Sequence, residues 1–297
     1  MITVLGSINL DLIGTVTRLP KPGETVPGGT FRTAAGGKGA NSALAARRAG
    51  SQVRMFGAVG SDAFADEALA ELKAGGVDLS TVTAAPGPTG IAMILVDEHG
   101  ENVIAVLPGA NGTLRPGDAD AALEGLDAGD VLMLQQEIPQ ETTERALELA
   151  NAQGVTAILN TAPFLGTTPQ LARKAAIVIA NETEFALLSG GSGALETQMR
   201  AWAKETGKTI VVTLGGDGAR AATPDAFLSV PALKIEPVDT VGAGDTFCGY
   251  LAAGLDAGLG LEGAMRRAAA AASLACLKPG AQPSIPTAAE VEAALSP

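Results

Sequence analysis

Histidine, cysteine and the larger aromatics are almost missing from this chain, whose 297 residues include one His, two Cys, one Trp and one Tyr. The single histidine, His99, falls among turn-forming residues between two alternating apolar runs and reads as a solvated loop residue, not a catalytic one. Cys248 and Cys276 stand in apolar or helical stretches without metal-ligand spacing, so neither is placed as a ligand or a nucleophile and a reduced, cytoplasmic protein is expected. Basic residues are also scarce. The 20 Lys and Arg face 32 Asp and Glu, a formal charge of −12, and no cationic cluster offers a general grip on nucleic acid or an anionic membrane. No apolar run is long enough to span a bilayer, and the opening MITVLGSINLDLIG lacks a basic leader and a small-residue cleavage site. A soluble, untargeted protein is the expectation. Repeats and low-complexity segments are absent apart from the short alanine run at 268–272.

What is present in quantity is apolar sequence. A hydrophobic content of 46% over this length is enough for a large core in one α/β domain. Six short runs read as strands: ITVLG (2–6), VRMFGAV (53–59), VLMLQ (131–135), VTAILN (155–160), AIVIAN (176–181) and TIVVTLG (209–215). Helical patterns lie near 40–50, 62–74, 140–153 and 194–206. Near-continuous apolar strands separated by helices predict a doubly wound, mostly parallel sheet with helices on both faces. Right-handed crossovers would place those helices, and ligands would bind beyond the carboxyl ends of the strands. Two segments, 14–34 and 89–109, hold alternating strands without a helix, with a hairpin signal at Asp97 to Gly100. They predict a small β-sheet, either a lid or an edge extension, set on a core made of 1–13, 35–88 and 110–297.

The carboxyl ends of the strands carry distinctive polar residues. Asn9 and Asp11 follow the first strand, Glu137 the third, and Asn181, Glu182 and Glu184 the fifth; Gly215, Gly216 and Gly218 follow the sixth. The segment AAGGKGANSALAARRAG is a glycine-rich approach to a helix and contains Lys38 and Asn41. Each feature alone has an ordinary explanation as a cap or a turn. Together they place hydroxyl-binding amides and carboxylates beside glycine-rich anion sites, a combination suited to a polyol next to a phosphate.

The segment VDTVGAGDTFCGY (238–250) reads as a loop entering a helix. Helix N-termini expose unpaired N–H groups and partial positive charge, and residues without bulk at Gly242, Ala243 and Gly244 let an anion approach. Asp245 is then either a cap residue or a catalytic carboxylate. Other nucleotide motifs fail. GKT at 207–209 would need a glycine where Trp202 stands, and GLGLEG at 258–263 follows a helical stretch instead of a strand. HExxH, GxSxG and kinase HRD-type loops are missing.

AAGGKGAN, NETE, TLGGDG and above all DTVGAGDTF, in this order, resemble the signatures of the ribokinase, or PfkB, family of sugar kinases. The resemblance runs from Ile2 to about residue 290, and GSIN-D, PGET, GENVI, GAN and KPGAQPS are similar to its ribose-phosphorylating branch. It departs from that branch at NTAP (160–163), where NPAP is frequent, and at Pro279, where a basic residue is common.

The resemblance implies an α/β core with a β-sheet lid and an ATP-dependent kinase acting on the primary 5-hydroxyl of a pentose, with D-ribose foremost. A fructokinase-like enzyme, a 2-deoxyribose or nucleoside kinase, and a non-catalytic sensor on the same fold are the alternatives. It implies Asp245 as general base beside an anion hole of Gly242, Ala243 and Gly244. Asn9, Asp11, Gly37, Lys38, Asn41 and Glu137 would meet the sugar. Asn181 and Glu184 would serve the phosphates and the water shell of Mg²⁺, while Thr213, Gly215 and Gly218 would border the nucleotide. A monovalent cation site, K⁺ by resemblance, would fall at Asp239, Val241, Ala275, Lys278, Gly280 and Ser284. A homodimer joined through the lids is also implied.

Overall fold

The computed structural model describes residues 1–296. The first half of the chain runs β1 (Ile2–Leu5), β2 (Asn9–Val16), β3 (Gly28–Gly36), α1 (Lys38–Arg48), β4 (Val53–Val59), α2 (Phe64–Gly75), β5 (Val82–Ala84), β6 (Gly90–Val96), β7 (Asn102–Leu107) and α3 (Pro116–Leu123). It continues with β8 (Val131–Leu134), α4 (Gln140–Gln153), β9 (Thr156–Asn160), α5 (Thr168–Ala172), β10 (Ile177–Asn181), α6 (Glu182–Ser189) and α7 (Leu195–Thr206). The last elements are β11 (Thr209–Thr213), β12 (Ala219–Ala222), β13 (Phe227–Val230), α8 (Ala243–Asp256), α9 (Leu261–Ala275) and α10 (Ala288–Leu295). Among the described residues no helix is long and apolar enough to cross a membrane.

Nine strands form the main sheet in the order β13-β12-β11-β10-β9-β8-β1-β4-β5. The seven from β11 to β5 are parallel, while β12 and β13 add an antiparallel edge. Strand alternation sends side chains to two separate cores. Ile2, Val4, Val131, Met133, Ile177 and Ile179 pack with Leu44, Phe247, Leu251 and Met265, from α1, α8 and α9. Leu5, Leu132, Leu134, Val178 and Ala180 pack with Leu147, Phe185, Met199 and Trp202, from α4, α6 and α7. Both faces are thus covered, as the unbroken apolar character of these strands predicts, and each fully buried Leu, Ile or Val contributes about 1.5–3 kcal/mol of transfer energy.

A second, four-stranded sheet has the order β3-β2-β6-β7, with β2 and β6 parallel and the outer pairs antiparallel. It takes in Asn9–Ile13 and Ala35–Gly36, which the sequence reading left with the core. The physical reason is that only Gly6, Ser7 and Ile8 separate β1 from β2, so the chain leaves one sheet and joins the other almost at once. The β6–β7 turn closes with the Gly100 N–H donating to the Asp97 carbonyl at 3.0 Å, and His99 is exposed in that turn. The sheet's face turned away from Asp11 presents Phe31, Met93 and Val103, and its Asp11 face presents Ile104, all more than half exposed.

Candidate active site

Strand order reverses direction at β1. The chain passes from β1 to β4 on one side and returns to β8 on the other, so the loops leaving β1 and β8 diverge and open a crevice. Ser7 and Glu137 face each other across it, with the Ser7 hydroxyl donating to Glu137 Oε2 at 2.6 Å. The same Oε2 accepts the Lys38 N–H at 3.1 Å, the Gly39 N–H reaches Ser7 Oγ at 3.3 Å, and the Ala40 N–H reaches the Ser7 carbonyl at 2.9 Å. The first turn of α1 is therefore filled by the protein's own carboxylate and hydroxyl. This corrects the sequence-based idea that GGKGAN forms a second anion site: glycine content allowed close packing there, and the N–H groups went to Ser7 and Glu137.

The first turn of α8 differs. Gly242 has φ +77°, and a Cβ on it would lie 2.8 Å from the Ala281 Cβ, so glycine is required there by the backbone and its neighbour. The Ala243 N–H is directed at the Thr240 carbonyl, 3.3 Å away, whereas those of Gly242 and Gly244 have no hydrogen-bond partner among the described residues. A Cβ on Gly244 would meet no atom within 4 Å beyond its neighbours and its own helix backbone. Asp245 is the next residue, 6% exposed, and its Oδ2 accepts the Asn41 Nδ2–H at 2.8 Å.

Two cavities meet at this helix start. One of about 450 Å³ is mostly apolar, lined among others by Leu233, Ile235, Phe247 and Ala272, with Thr213, Gly215 and Gly218 at its border. The other, about 240 Å³, is lined by Lys38, Asn160, Asn181, Glu184, Asp245 and Cys248 among others. Thr213, Thr240 and Gly244 line both, so the two spaces adjoin.

Charge is concentrated here. Burial pushes the Asp245 carboxyl above the usual carboxylate range, while the Lys38 ammonium and the Asn41 hydrogen bond pull it back. Asp245, Glu137 and Glu184 in turn hold the Lys38 ammonium above its ordinary value despite burial. Asp11, on β2, is pushed up to about 7 by burial and by the Glu137 and Asp245 carboxylates. Two such strongly shifted carboxyls in one crevice mark it as a place of chemistry.

The remaining residues singled out in the sequence distribute around this centre. Asn9 Oδ1 accepts the Asn111 Nδ2–H at 2.7 Å, and Gly37 leads into α1. Asn181 caps α6, with the Glu184 N–H donating to its Oδ1 at 2.8 Å, and Glu184 Oε2 accepts both the Asn181 N–H and the Thr161 hydroxyl. Both side chains thus have a local structural role as well as a place on the smaller cavity. Asp239 takes the Val241 N–H on Oδ1 at 3.0 Å and the Gly280 N–H on Oδ2 at 2.8 Å, binding the loop before α8 to the loop after α9. Ser284, whose hydroxyl donates to the Ala281 carbonyl, belongs to that second loop along with Lys278, and Ala275 closes α9 just before it. These six residues gather behind the start of α8, and none of them lines either cavity.

Sequence reasoning missed Ser7 and Asn111. Ser7 had a usable signal, since it is the first polar residue beyond β1. Asn111 closes the GAN motif that is part of the resemblance, but no local pattern shows that its side chain returns to accept the Ile8 N–H at 2.9 Å and to donate to the Ile8 carbonyl at 3.1 Å.

Comparison with known proteins adds three kinds of likeness. A family profile described as pfkB family carbohydrate kinase matches residues 1–288. The chain is 39% identical to the ribokinase of Bacillus subtilis (strain 168), covering 99% of each, and 36% identical to the deoxyribokinase of Salmonella typhi, covering 96% of this chain and 95% of the other. Among solved structures it is similar to Arabidopsis thaliana ribokinase complexed with ribose and ATP, at a TM-score of 0.89 and 31% identity, covering 99% and 98% of the two chains.

Proposed function

The chain belongs to the pfkB family of carbohydrate kinases, and from that premise we propose that it transfers the γ-phosphoryl group of ATP to the 5-hydroxyl of D-ribose. The observation that carries this reading is the position of Asp245: a buried carboxylate in the first turn of α8, beside N–H groups without partners and at the junction of two cavities.

In this reading the sugar rests at the ends of β1, β2 and β8 against Asn9, Asp11, Gly37, Lys38 and Glu137, whose small polar groups suit hydroxyls. The larger cavity, with Phe247 and Ala272 on its apolar wall and Thr213, Gly215 and Gly218 at its edge, suits a nucleotide base and ribose. Asp245 takes the proton from the attacking hydroxyl as its oxygen bonds to the γ-phosphorus, and the bond from that phosphorus to ADP breaks. The N–H groups of Gly242 and Gly244 stabilise charge on the transferring oxygens, with the Lys38 ammonium nearby. The hard oxygen donors of Asn181 and Glu184 suit a Mg²⁺ ion that keeps most of its water, and bound there it would spread the charge of the phosphates. The carboxylate of Asp239 and the backbone oxygens of Val241, Ala275, Lys278, Gly280 and Ser284 likewise suit a monovalent cation such as K⁺. The two free thiols, Cys248 and Cys276, accord with work in the reducing cytoplasm.

The small sheet is read as a lid. It carries Asp11 over the crevice, and closing it would exclude water that competes with the sugar for the phosphoryl group. Its exposed apolar residues Phe31, Met93 and Val103 share one face and form a surface that a second copy of the chain would cover. Light scattering at micromolar concentration should give a dimer, and a monomer would remove that part of the reading.

The test is ADP formation from ATP with ribose, 2-deoxyribose, fructose and adenosine, with and without K⁺. Ribose should give the highest kcat/KM. The likeness to a deoxyribokinase makes 2-deoxyribose the second reading, and a higher kcat/KM for it would displace ribose. Asp245→Asn should bind sugar yet turn over at least about 10²-fold more slowly.

A further inference from the structure

Asn41 was expected among the sugar contacts, but its amide is engaged elsewhere. It lies in the first turn of α1, 204 residues from Asp245, and its Nδ2 meets Asp245 Oδ2 at 2.8 Å with both side chains buried. The amide orientation is fixed by chemistry: turned the other way, its oxygen would face a carboxylate oxygen and repel it. Asn41 Oδ1 is buried and has no partner among the described residues, so the Asp245 bond is the only hydrogen bond this side chain makes in the chain. Asp245 Oδ1, by contrast, makes no hydrogen bond among the described residues, and the residue lines the smaller cavity.

The contact depends on how closely two helices approach. Gly249, one turn beyond Asp245 on α8, packs directly on α1, where a Cβ would stand 2.5 Å from both the Ala45 Cβ and the Ser42 carbonyl oxygen. A short side chain such as Asn41 can span the gap only because this position has no side chain. The sequence FCGYL therefore positions an amide on a different helix.

We propose that Asn41 is a positioning residue for the reaction: its amide ties down one oxygen of Asp245 so that the other is presented to the hydroxyl that loses its proton. This rests on the general-base reading of Asp245. The same bond favours the charged form of the carboxylate against the effect of burial. The other charged and titratable groups around it are Lys38 on α1, Asp11 on β2, Glu137 after β8, Glu184 on α6 and Cys248 on α8. Among these Lys38 acts in the same direction as Asn41, and the carboxylates act against it.

Two near-isosteric variants test the proposal, Asn41→Leu, which removes the donor, and Asn41→Asp, which replaces it with a second carboxyl. The first readout is the titration of Asp245 by carbon NMR of protein labelled at the aspartate carboxyls, with Asp245→Asn to assign the signal. This needs no turnover, so it stands apart from the kinase reading. Asn41→Leu should raise the Asp245 midpoint by about one pH unit, a tenfold change in proton affinity, and Asn41→Asp by more, since two carboxyls then share one site. An unchanged midpoint in both folded variants overturns the proposal. The second readout is the kcat–KM split with ribose. Asn41→Leu should lower kcat at least about tenfold, with the acid limb of kcat moved upward, while KM for ribose changes less than about threefold. A raised KM with unchanged kcat and limb would return Asn41 to the sugar contacts and refute the positioning role. Absence of ribose phosphorylation in the unaltered protein would defeat the substrate reading without touching the titration result.

Discussion

Helices α1 and α8 begin at the same crevice, each after a glycine-rich loop, and each has a buried polar residue in its first turn. Their N-termini nevertheless have opposite fates. In α1 the Lys38, Gly39 and Ala40 N–H groups are satisfied by Glu137 and Ser7. In α8 the Gly242 and Gly244 N–H groups are left to whatever enters the cavity. The comparison teaches that glycine-rich sequence before a helix indicates close approach of something to the backbone, and only the structure tells whether it is a ligand or another part of the chain. Both uses coexist within one loop here, because Gly242 is required by its own backbone and by Ala281, whereas Gly244 faces open space.

The largest test of this contrast is Gly244→Ala. The added methyl would touch nothing within 4 Å beyond its neighbours and its own helix backbone, so melting temperature should hold within about a degree, while in the proposed reaction the methyl would stand where a phosphoryl group passes. Turnover is expected to fall by about 10²-fold, on the scale of losing one oxyanion donor. Gly242→Ala should do the reverse in kind, lowering stability by about 1–3 kcal/mol through backbone strain and the Ala281 contact, as read by denaturant unfolding. Should both lose activity only in proportion to stability, the distinction between the two glycines fails.

A smaller effect is expected on the α1 side. Glu137→Ala removes the acceptor of the Ser7 hydroxyl and the Lys38 N–H, which should cost about 1–3 kcal/mol in unfolding free energy and raise KM for the sugar roughly tenfold. The affinity for ADP, measured by calorimetry, should stay unchanged because the larger cavity is lined by other residues. Weakened ADP binding would show that the two helix starts are not separate in function.

The smallest expected effect concerns pH. Asp11 is held at about 7 by burial and by the Glu137 and Asp245 carboxylates, well above the ordinary aspartate value near 4. Between roughly pH 4 and 7 the folded protein keeps a proton that the unfolded chain has released, so this group's contribution to stability is full below that window and is lost as pH rises through it. Asp11→Asn should therefore raise the melting temperature at pH 8 by a few degrees relative to the unaltered protein and leave it nearly equal at pH 4. An equal gain at both values would place the effect outside the titration of Asp11.

Much of the architecture was legible in the sequence. The six β-branched runs from Ile2 to Thr213 are strands of the main sheet, within a residue or two of the expected ends, because strands buried on both faces leave an uninterrupted apolar signature. The antiparallel edge was not legible: β12 is Ala-Arg-Ala-Ala, which carries none of the branched or aromatic residues by which strands are recognised. At the site, the types of residue were legible and their partners were not. Nothing in the local sequence indicates that Asn41 would reach Asp245, that Glu137 would occupy the end of α1, or that Asn111 would return to Asn9. Each of those bonds spans about a hundred residues or more of chain and depends on sheet order, which no local pattern encodes.

Asn9, Gly36 and Gly90 are in register across β2, β3 and β6, and Asn111 ties that point to the core by gripping Ile8 and Asn9. Three strands of the small sheet thus leave the body of the protein from one pinned spot, which is also the floor on which the sugar is proposed to sit. As the lid proposed above, the small sheet would have its hinge pin beside its latch. Swinging it would carry the far tips of β6 and β7 through a wide arc while Asn9 scarcely stirs, so substrate could come and go without the pocket floor having to be rebuilt on each turnover.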